Sequence, residues 1–257
     1  MLSFPPDTPL VDCIAASPNN EARRIDGGID ILLLHYTGMA TTQGALARLR
    51  SADARVSSHY LITQHGSVMQ LVPEERRAFH AGESSWEGTG DVNSRSIGIE
   101  IANPGHDAGC PDFPAAQIEV TIALCRDIVQ RRGIRADRVL AHSDVAPNRK
   151  NDPGEKFPWA RLAAAGVGLW VEPRPLATGP RIGPGDKGPM VTALQRDLAR
   201  YGYGLAATGA FDAATSAVVT AFQRHFRPAR VDGIADRSTV ETLHALVAAQ
   251  KALAGRA

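Results

Sequence analysis

This chain of 257 residues has few cysteines, almost no net charge and no long apolar run. Its three cysteines, Cys13, Cys110 and Cys125, form no closely spaced pair, which argues against a disulfide framework and against a cysteine-ligated metal. The formal net charge is +1, so the composition gives no reason to expect binding to nucleic acid or to an anionic membrane surface. No apolar run approaches the roughly 20 residues that cross a bilayer, and we predict no membrane span.

The N-terminal stretch also lacks the features of an export signal. Residues 1–7, Met-Leu-Ser-Phe-Pro-Pro-Asp, contain neither a basic segment nor an apolar one. Together with the scattered cysteines, this favours a cytoplasmic protein. The alternative is a periplasmic protein whose export signal has been removed.

The order of the apolar patterns predicts two domains. Residues 1–170 alternate between strand and helix patterns, with a continuous apolar run at 31–34, an alternating run at 96–102 and a helical spacing at 115–131. These patterns predict an α/β fold with a central mixed β-sheet flanked by helices. Residues 171–187 are rich in proline and glycine and have no periodicity, which is typical of a linker.

Residues 188–257 predict a small three-helix bundle. The helical patterns cover roughly 188–202, 212–226 and 236–250. Matching phrases precede the second and third helices, and in these phrases Asp212 and Asp236 are placed to cap the helices by accepting hydrogen bonds from free backbone N–H groups.

A short segment near the end of the first domain holds side chains suited to metal chemistry. His142, Lys150 and Asp152 fall within eleven residues, in a stretch too rich in proline and glycine for a regular helix. Imidazole and carboxylate groups are zinc ligands, and an ammonium group can stabilise an oxyanion. His35, which follows the apolar run, is the leading candidate for a third ligand, so we hypothesise a zinc hydrolase. The alternative is a set of hydrogen-bonded core histidines with a turn held by a surface ion pair.

Glu100 is the leading candidate for a catalytic base. It shares one face of a strand pattern with Gly98, and a carboxylate among apolar neighbours is costly unless it is paired or functional. As a general base it would take a proton from the attacking water. The alternatives are a solvated face or an ion pair with an arginine. His80 is a candidate substrate contact, and His59 is either a core residue or a support for a metal ligand.

The ordered motifs resemble those of a known enzyme family. They are Ile-Leu-Leu-Leu-His-Tyr-Thr at 31–37, Val-Ser-Ser-His-Tyr-Leu-Ile at 56–62, Arg-Ala-Phe-His-Ala-Gly at 77–82, Ser-Ile-Gly-Ile-Glu at 96–100 and the segment 142–154. Over about residues 15–168, the chain resembles the zinc-dependent N-acetylmuramoyl-L-alanine amidases of the amidase-2 (AmpD-like) family. The C-terminal phrases, with two Gly-x-x-Asp-x-x-Thr units, resemble the peptidoglycan-binding domain of wall-active enzymes.

The resemblance implies hydrolysis of the amide bond between N-acetylmuramic acid and L-alanine of the stem peptide. In members that recycle peptidoglycan, the sugar has the 1,6-anhydro form. The resemblance also implies that His35, His142 and Asp152 bind one zinc ion per chain, that Glu100 is the catalytic carboxylate and that Lys150 stabilises the tetrahedral oxyanion.

Substrate contacts follow from the same resemblance. Arg55 and Phe79 match positions at which relatives contact the muropeptide, and His80 is our third candidate. We expect a recycling enzyme that acts on muropeptides. Two alternatives are an envelope amidase that acts on intact peptidoglycan and a recognition protein that binds peptidoglycan without cutting it, although recognition proteins of this fold lack a zinc ligand. The C-terminal bundle would either bind peptidoglycan or only pack against the first domain.

Overall fold

The computed structural model describes residues 4–24 and 28–255. Two pieces of segments discussed above lie outside the described residues. They are residues 1–3 of the N-terminal stretch and residues 256–257 of the predicted bundle. The strands are β1 (Cys13–Ile14), β2 (Asn20–Ala22), β3 (Ile31–Tyr36), β4 (Tyr60–Ile62), β5 (Val68–Gln70), β6 (Arg76–Ala78), β7 (Ser96–Ile101), β8 (Val139–Ala141), β9 (Arg181–Ile182) and β10 (Ala235–Asp236). The α-helices are α1 (Thr42–Arg50), α2 (Val92–Arg95), α3 (Ala115–Arg132), α4 (His142–Val145), α5 (Trp159–Ala164), α6 (Pro189–Tyr201), α7 (Ala213–Phe226) and α8 (Arg237–Ala254).

A mixed sheet with the strand order β1-β5-β4-β7-β3-β8 forms the centre of the first domain, which confirms the predicted α/β architecture. β3 is paired in parallel with both β7 and β8, whereas β4 and β5 form an antiparallel hairpin. The register places Leu33 beside Gly98 and His35 beside Glu100. Because side chains alternate along a strand, all four positions lie on the same face of the sheet.

The two faces of β3 belong to different apolar cores. Leu32 and Leu34 join a cluster that includes residues of α3 and α5. Ile31 and Leu33, on the face that carries His35, join a cluster that continues through Trp86 into the C-terminal helices. The C-terminal members of this second cluster include Val191, Leu194, Tyr201, Phe222, Phe226 and Leu246. One continuous apolar core therefore joins the residues on both sides of the predicted linker. The boundaries of the two domains stay predictions.

The C-terminal region contains the predicted helices and one unpredicted element. Asp212 and Asp236 cap α7 and α8, because their carboxylates accept the backbone N–H groups of Thr215 and Thr239 at 2.8 Å. The short antiparallel pair β9–β10 accompanies the helices. In the part of the chain that the structure describes, no helix has the length and apolar character needed to cross a membrane.

Candidate metal centre

Three side chains from separate elements converge beyond the end of the sheet. Nδ1 of His35 in β3 lies 2.9 Å from Nδ1 of His142, the first residue of α4. Each of these nitrogens is 3.0 Å from Oδ2 of Asp152, which lies in the loop after α4. The two histidines meet because β3 and β8 are parallel neighbours, so that their C-terminal ends lie at the same edge of the sheet. The segment from His142 thus begins with one helical turn and continues as a loop.

This triangle of atoms suits a metal ion. Two imidazole nitrogens and one carboxylate oxygen face one another in a buried site. One proton between them could form a hydrogen bond between only two of these atoms, and the third atom would have no hydrogen-bond partner. Burial and the adjacent His142 lower the pKa of His35 to about 4. Burial alone would raise the pKa of Asp152, but the two histidines lower it below its ordinary value. At neutral pH His35 is therefore neutral and Asp152 ionised, the states in which these groups bind metals.

The outer nitrogens of both imidazoles are held by hydrogen bonds. Nε2 of His142 donates to the carbonyl of Ala81 at 3.0 Å, which leaves Nδ1 free for a metal. Nε2 of His35 lies 3.0 Å from Nδ1 of His80, whose own Nε2 is 3.3 Å from Oγ of Ser96. Because the Ser96 hydroxyl donates to the carbonyl of Val92, this chain of hydrogen bonds assigns a proton to Nε2 of His35 and orients its ring.

His80, our candidate substrate contact, borders the cavity. It also contacts His35, which the sequence pattern did not indicate. The His80 side chain is 8% exposed. His59, which we considered as a core residue or a support, is fully buried, and its Nδ1 accepts the backbone N–H of Gly98 at 2.9 Å. The structure shows why the strand has a glycine at position 98, which its local pattern does not reveal: a Cβ atom there would lie 2.5 Å from the His80 ring.

Substitution of Gly98 with alanine is therefore expected to disturb the candidate metal site through His80. The added methyl group would displace the His80 ring and remove its hydrogen bond to His35, and the loss of such an outer contact typically weakens metal affinity by about 10- to 100-fold. The measurement is the zinc dissociation constant by competition with a chelating dye. Gly90→Ala is the control, because a Cβ at that exposed position would make only an ordinary contact with a carbonyl oxygen at 3.8 Å. Equal zinc affinity in the two variants would contradict the role of Gly98.

A cavity of about 360 Å³ opens over two of the three candidate ligands, His142 and Asp152, while His35 lies behind them and does not line it. Glu100 and Lys150, the expected catalytic residues, border this cavity, and so does Phe79, an expected substrate contact. Arg55 lies outside the lining, exposed and with a left-handed φ of 50°, next to the lining residue Val56. The structure thus brings together all the predicted site residues except Arg55, which it places beside the cavity.

Glu100 is an unusual carboxyl group. Its Oε2 atom is buried and has no hydrogen-bond partner among the described residues, so the arginine pair does not fit, although the residue as a whole is partly exposed to the cavity. Burial and the negative charge of Asp152 raise the pKa of Glu100 well above its ordinary value, while Lys150 opposes this effect. A partly desolvated carboxyl group beside a cavity and a candidate metal site has the properties expected of a general base.

A second group of polar side chains lies at the rim of the cavity. The hydroxyl group of Tyr36 is 2.9 Å from Nδ1 of His106, and Nε2 of His106 is 3.0 Å from Oε2 of Glu155. Cys110 lies close to both His106 and Glu155. Both ring nitrogens of His106 have protein partners, so this group holds two loops together. The sequence pattern does not reveal this group, because its residues come from separate segments far apart in the chain and leave no periodic signal.

Comparisons with known proteins match both parts of the chain. The family model described as N-acetylmuramoyl-L-alanine amidase matches residues 25–155, and that of a peptidoglycan binding domain matches residues 187–243. The chain is 40% identical over 237 residues to N-acetylmuramoyl-L-alanine amidase AmiD of Escherichia coli K12, and the match covers 85% of this chain and 82% of AmiD.

Solved structures give the same similarity. The complex of E. coli AmiD with the substrate anhydro-N-acetylmuramic acid-L-Ala-D-gamma-Glu-L-Lys superposes with a TM-score of 0.74 at 37% identity and covers 91% of each chain. AmpDh3 of Pseudomonas aeruginosa in complex with an anhydromuramic pentapeptide has a TM-score of 0.69 at 32% identity, covering 85% of this chain and 91% of that one. Both similarities extend across the two parts of the chain.

Proposed function

The chain belongs to the N-acetylmuramoyl-L-alanine amidase family, and on this premise we propose that it hydrolyses the amide between 1,6-anhydro-N-acetylmuramic acid and L-alanine of a muropeptide. The observation that carries the proposal is the buried triangle of His35, His142 and Asp152 beneath a cavity that Glu100 and Lys150 border. The substrate in the AmiD complex and the peptide bound by AmpDh3 are both anhydromuramic peptides, which supports the anhydro form of the sugar.

Zinc is the metal that we propose for the triangle. Two imidazoles and one carboxylate leave a fourth position open, which is the usual ligand set of a catalytic zinc site. A zinc ion held there would act as a Lewis acid, activating water and polarising the amide carbonyl. His35, His142 and Asp152 would hold it, and at neutral pH His35 is neutral and Asp152 ionised, as metal binding requires of these two groups.

The remaining residues of the cavity supply proton transfer and charge stabilisation in this proposal. Glu100 would take the proton of the attacking water and pass it to the alanine nitrogen as the C–N bond breaks. The ammonium group of Lys150 would stabilise the negative charge that develops on the carbonyl oxygen. Phe79 and Arg55 would contact the muropeptide, Phe79 from the cavity wall and Arg55 from its exposed position beside Val56.

Mass-spectrometric detection of the released stem peptide tests the proposal. The purified protein, incubated with a defined anhydro-muropeptide, is expected to release a peptide with a free L-alanine N-terminus. Treatment with a chelator should abolish this release, and added zinc should restore it. Release that persists at the full rate in a protein verified to be free of metal would contradict the zinc mechanism, and no release from metal-loaded protein would favour a recognition protein.

The same experiment with intact sacculi addresses a second candidate function. The match of residues 187–243 to a peptidoglycan binding domain favours an amidase that also acts on the intact wall. The cytoplasmic compartment that we proposed from the sequence requires activity on soluble muropeptides alone. Efficient release of stem peptides from sacculi would favour the envelope enzyme and a periplasmic location instead.

A further inference from the structure

Asp144 joins the metal-binding turn to the C-terminal helices. It lies two residues after His142 and is fully buried. The hydroxyl group of Tyr203 donates to its Oδ1 at 2.7 Å, and Nδ1 of His225 donates to its Oδ2 at 2.7 Å. The same Oδ2 accepts the backbone N–H of Ala141 at 2.8 Å, which fixes the start of α4. One carboxylate thus connects the two C-terminal side chains with the turn that begins at His142.

Close packing holds both C-terminal donors in place. The Tyr203 ring contacts the buried Trp86 of the first domain edge to face, with ring centroids 5.3 Å apart. His225 stacks on Trp159 at a centroid distance of 3.7 Å. A Cβ atom at Gly202 would lie 2.4 Å from Trp86, so this approach requires glycine. The rings therefore present their donors to Asp144 at fixed positions.

We propose that Tyr203 and His225 are positioning residues for the metal centre, acting through Asp144 on the α4 turn that aims His142. A buried carboxylate that loses its donors is costly, and α4 would relieve this cost by shifting Asp144 towards water. His142 opens the same single turn, so it would move with Asp144. The proposal rests on the proposed function in one respect, the binding of zinc by His142. It gives the C-terminal helices a role in the reaction that is separate from any contact with peptidoglycan.

The full-length variants Tyr203→Phe and Tyr201→Phe form a matched pair for the test. Both tyrosines are buried near the same helix end, but the Tyr201 hydroxyl forms no hydrogen bond among the described residues. Each substitution removes one oxygen and keeps the ring. We expect Tyr203→Phe to raise the zinc dissociation constant about 10-fold, the lower end of the range for outer contacts of metal ligands, and Tyr201→Phe to leave it within about 2-fold. Asp144→Asn, which retains the shape of the side chain, should have an effect at least as large as that of Tyr203→Phe.

Melting temperatures with and without zinc separate positioning from general stability. If Tyr203 positions His142, the rise in melting temperature on adding zinc will be smaller in Tyr203→Phe than in Tyr201→Phe. Equal loss of stability in the zinc-free and zinc-loaded forms, with unchanged zinc affinity in both Tyr203→Phe and Asp144→Asn, would overturn this inference alone. Failure of the wild-type protein to bind zinc would overturn the proposed function and the inference together.

Discussion

Replacement of Glu100 with glutamine is expected to lower kcat for muropeptide cleavage by about 10²–10⁴-fold, the loss typical of a missing general base. Glutamine has nearly the same shape, but its amide cannot accept and release the proton of the attacking water. KM should stay close to the wild-type value, because the lost interaction acts only in the transition state. The measurement is the rate of stem-peptide release at saturating anhydro-muropeptide.

The control for Glu100→Gln is Glu75→Gln, which removes an exposed carboxylate outside the cavity lining. Zinc content is measured in both variants, since loss of metal from Glu100→Gln would reveal a structural effect. Glu100 must be ionised to accept a proton, and burial raises its pKa. The wild-type rate should therefore rise with pH through that pKa, and Glu100→Gln should lose this dependence. A wild-type rate in Glu100→Gln would eliminate the general-base role.

Lys150→Ala is expected to reduce kcat/KM by about 10²–10³-fold, as the loss of one oxyanion-stabilising donor typically does. Lys150 and Asp152 both border the cavity, and among the described residues no other lysine lies in its lining. In the proposed mechanism, the substitution would remove the positive charge that stabilises the negative charge developing on the carbonyl oxygen. Single-turnover measurement of stem-peptide release would isolate this chemical step from product release.

Lys156→Ala is the matched control for Lys150. Lys156 lies in the same loop but is exposed, with Nζ 3.4 Å from Oδ1 of Asp112. An exposed ion pair of this kind contributes little to stability. In Lys156→Ala, activity should therefore change by less than about 2-fold, and the free energy of unfolding by less than about 1 kcal/mol. If the two variants have equal rates with zinc bound, Lys150 does not stabilise the transition state.

Much of the candidate site could be predicted because its residues follow buried parallel strands. The apolar run before His35 and the strand before His142 mark strand ends, and adjacent parallel strands bring such ends together. The alternation of Gly98 and Glu100 correctly placed both on one face. Local pattern and the chemistry of the side chains were sufficient for these features.

Contacts between distant segments could not be predicted in the same way. The hydrogen bond from Tyr203 to Asp144 joins residues 59 positions apart, and that from His225 spans 81 positions, so neither leaves a periodic signal. The need for glycine at position 98 depends on the His80 ring, which arrives from another segment. Helix α1 was missed for a local reason, because Gly44 lowers the helix propensity of its first turn.

The core that passes from β3 through Trp86 into α6–α8 bears on how the molecule would engage the cell wall. A binding module on a flexible tether searches the volume that its linker allows, and the length of the linker sets the local concentration of substrate at the catalytic domain. Here the packed interface fixes the separation and the angle between the two parts. If the C-terminal helices hold a glycan strand, the cavity can reach only those stem peptides that lie at one fixed distance along the strand from the bound position. The enzyme would then select its cleavage sites by this distance.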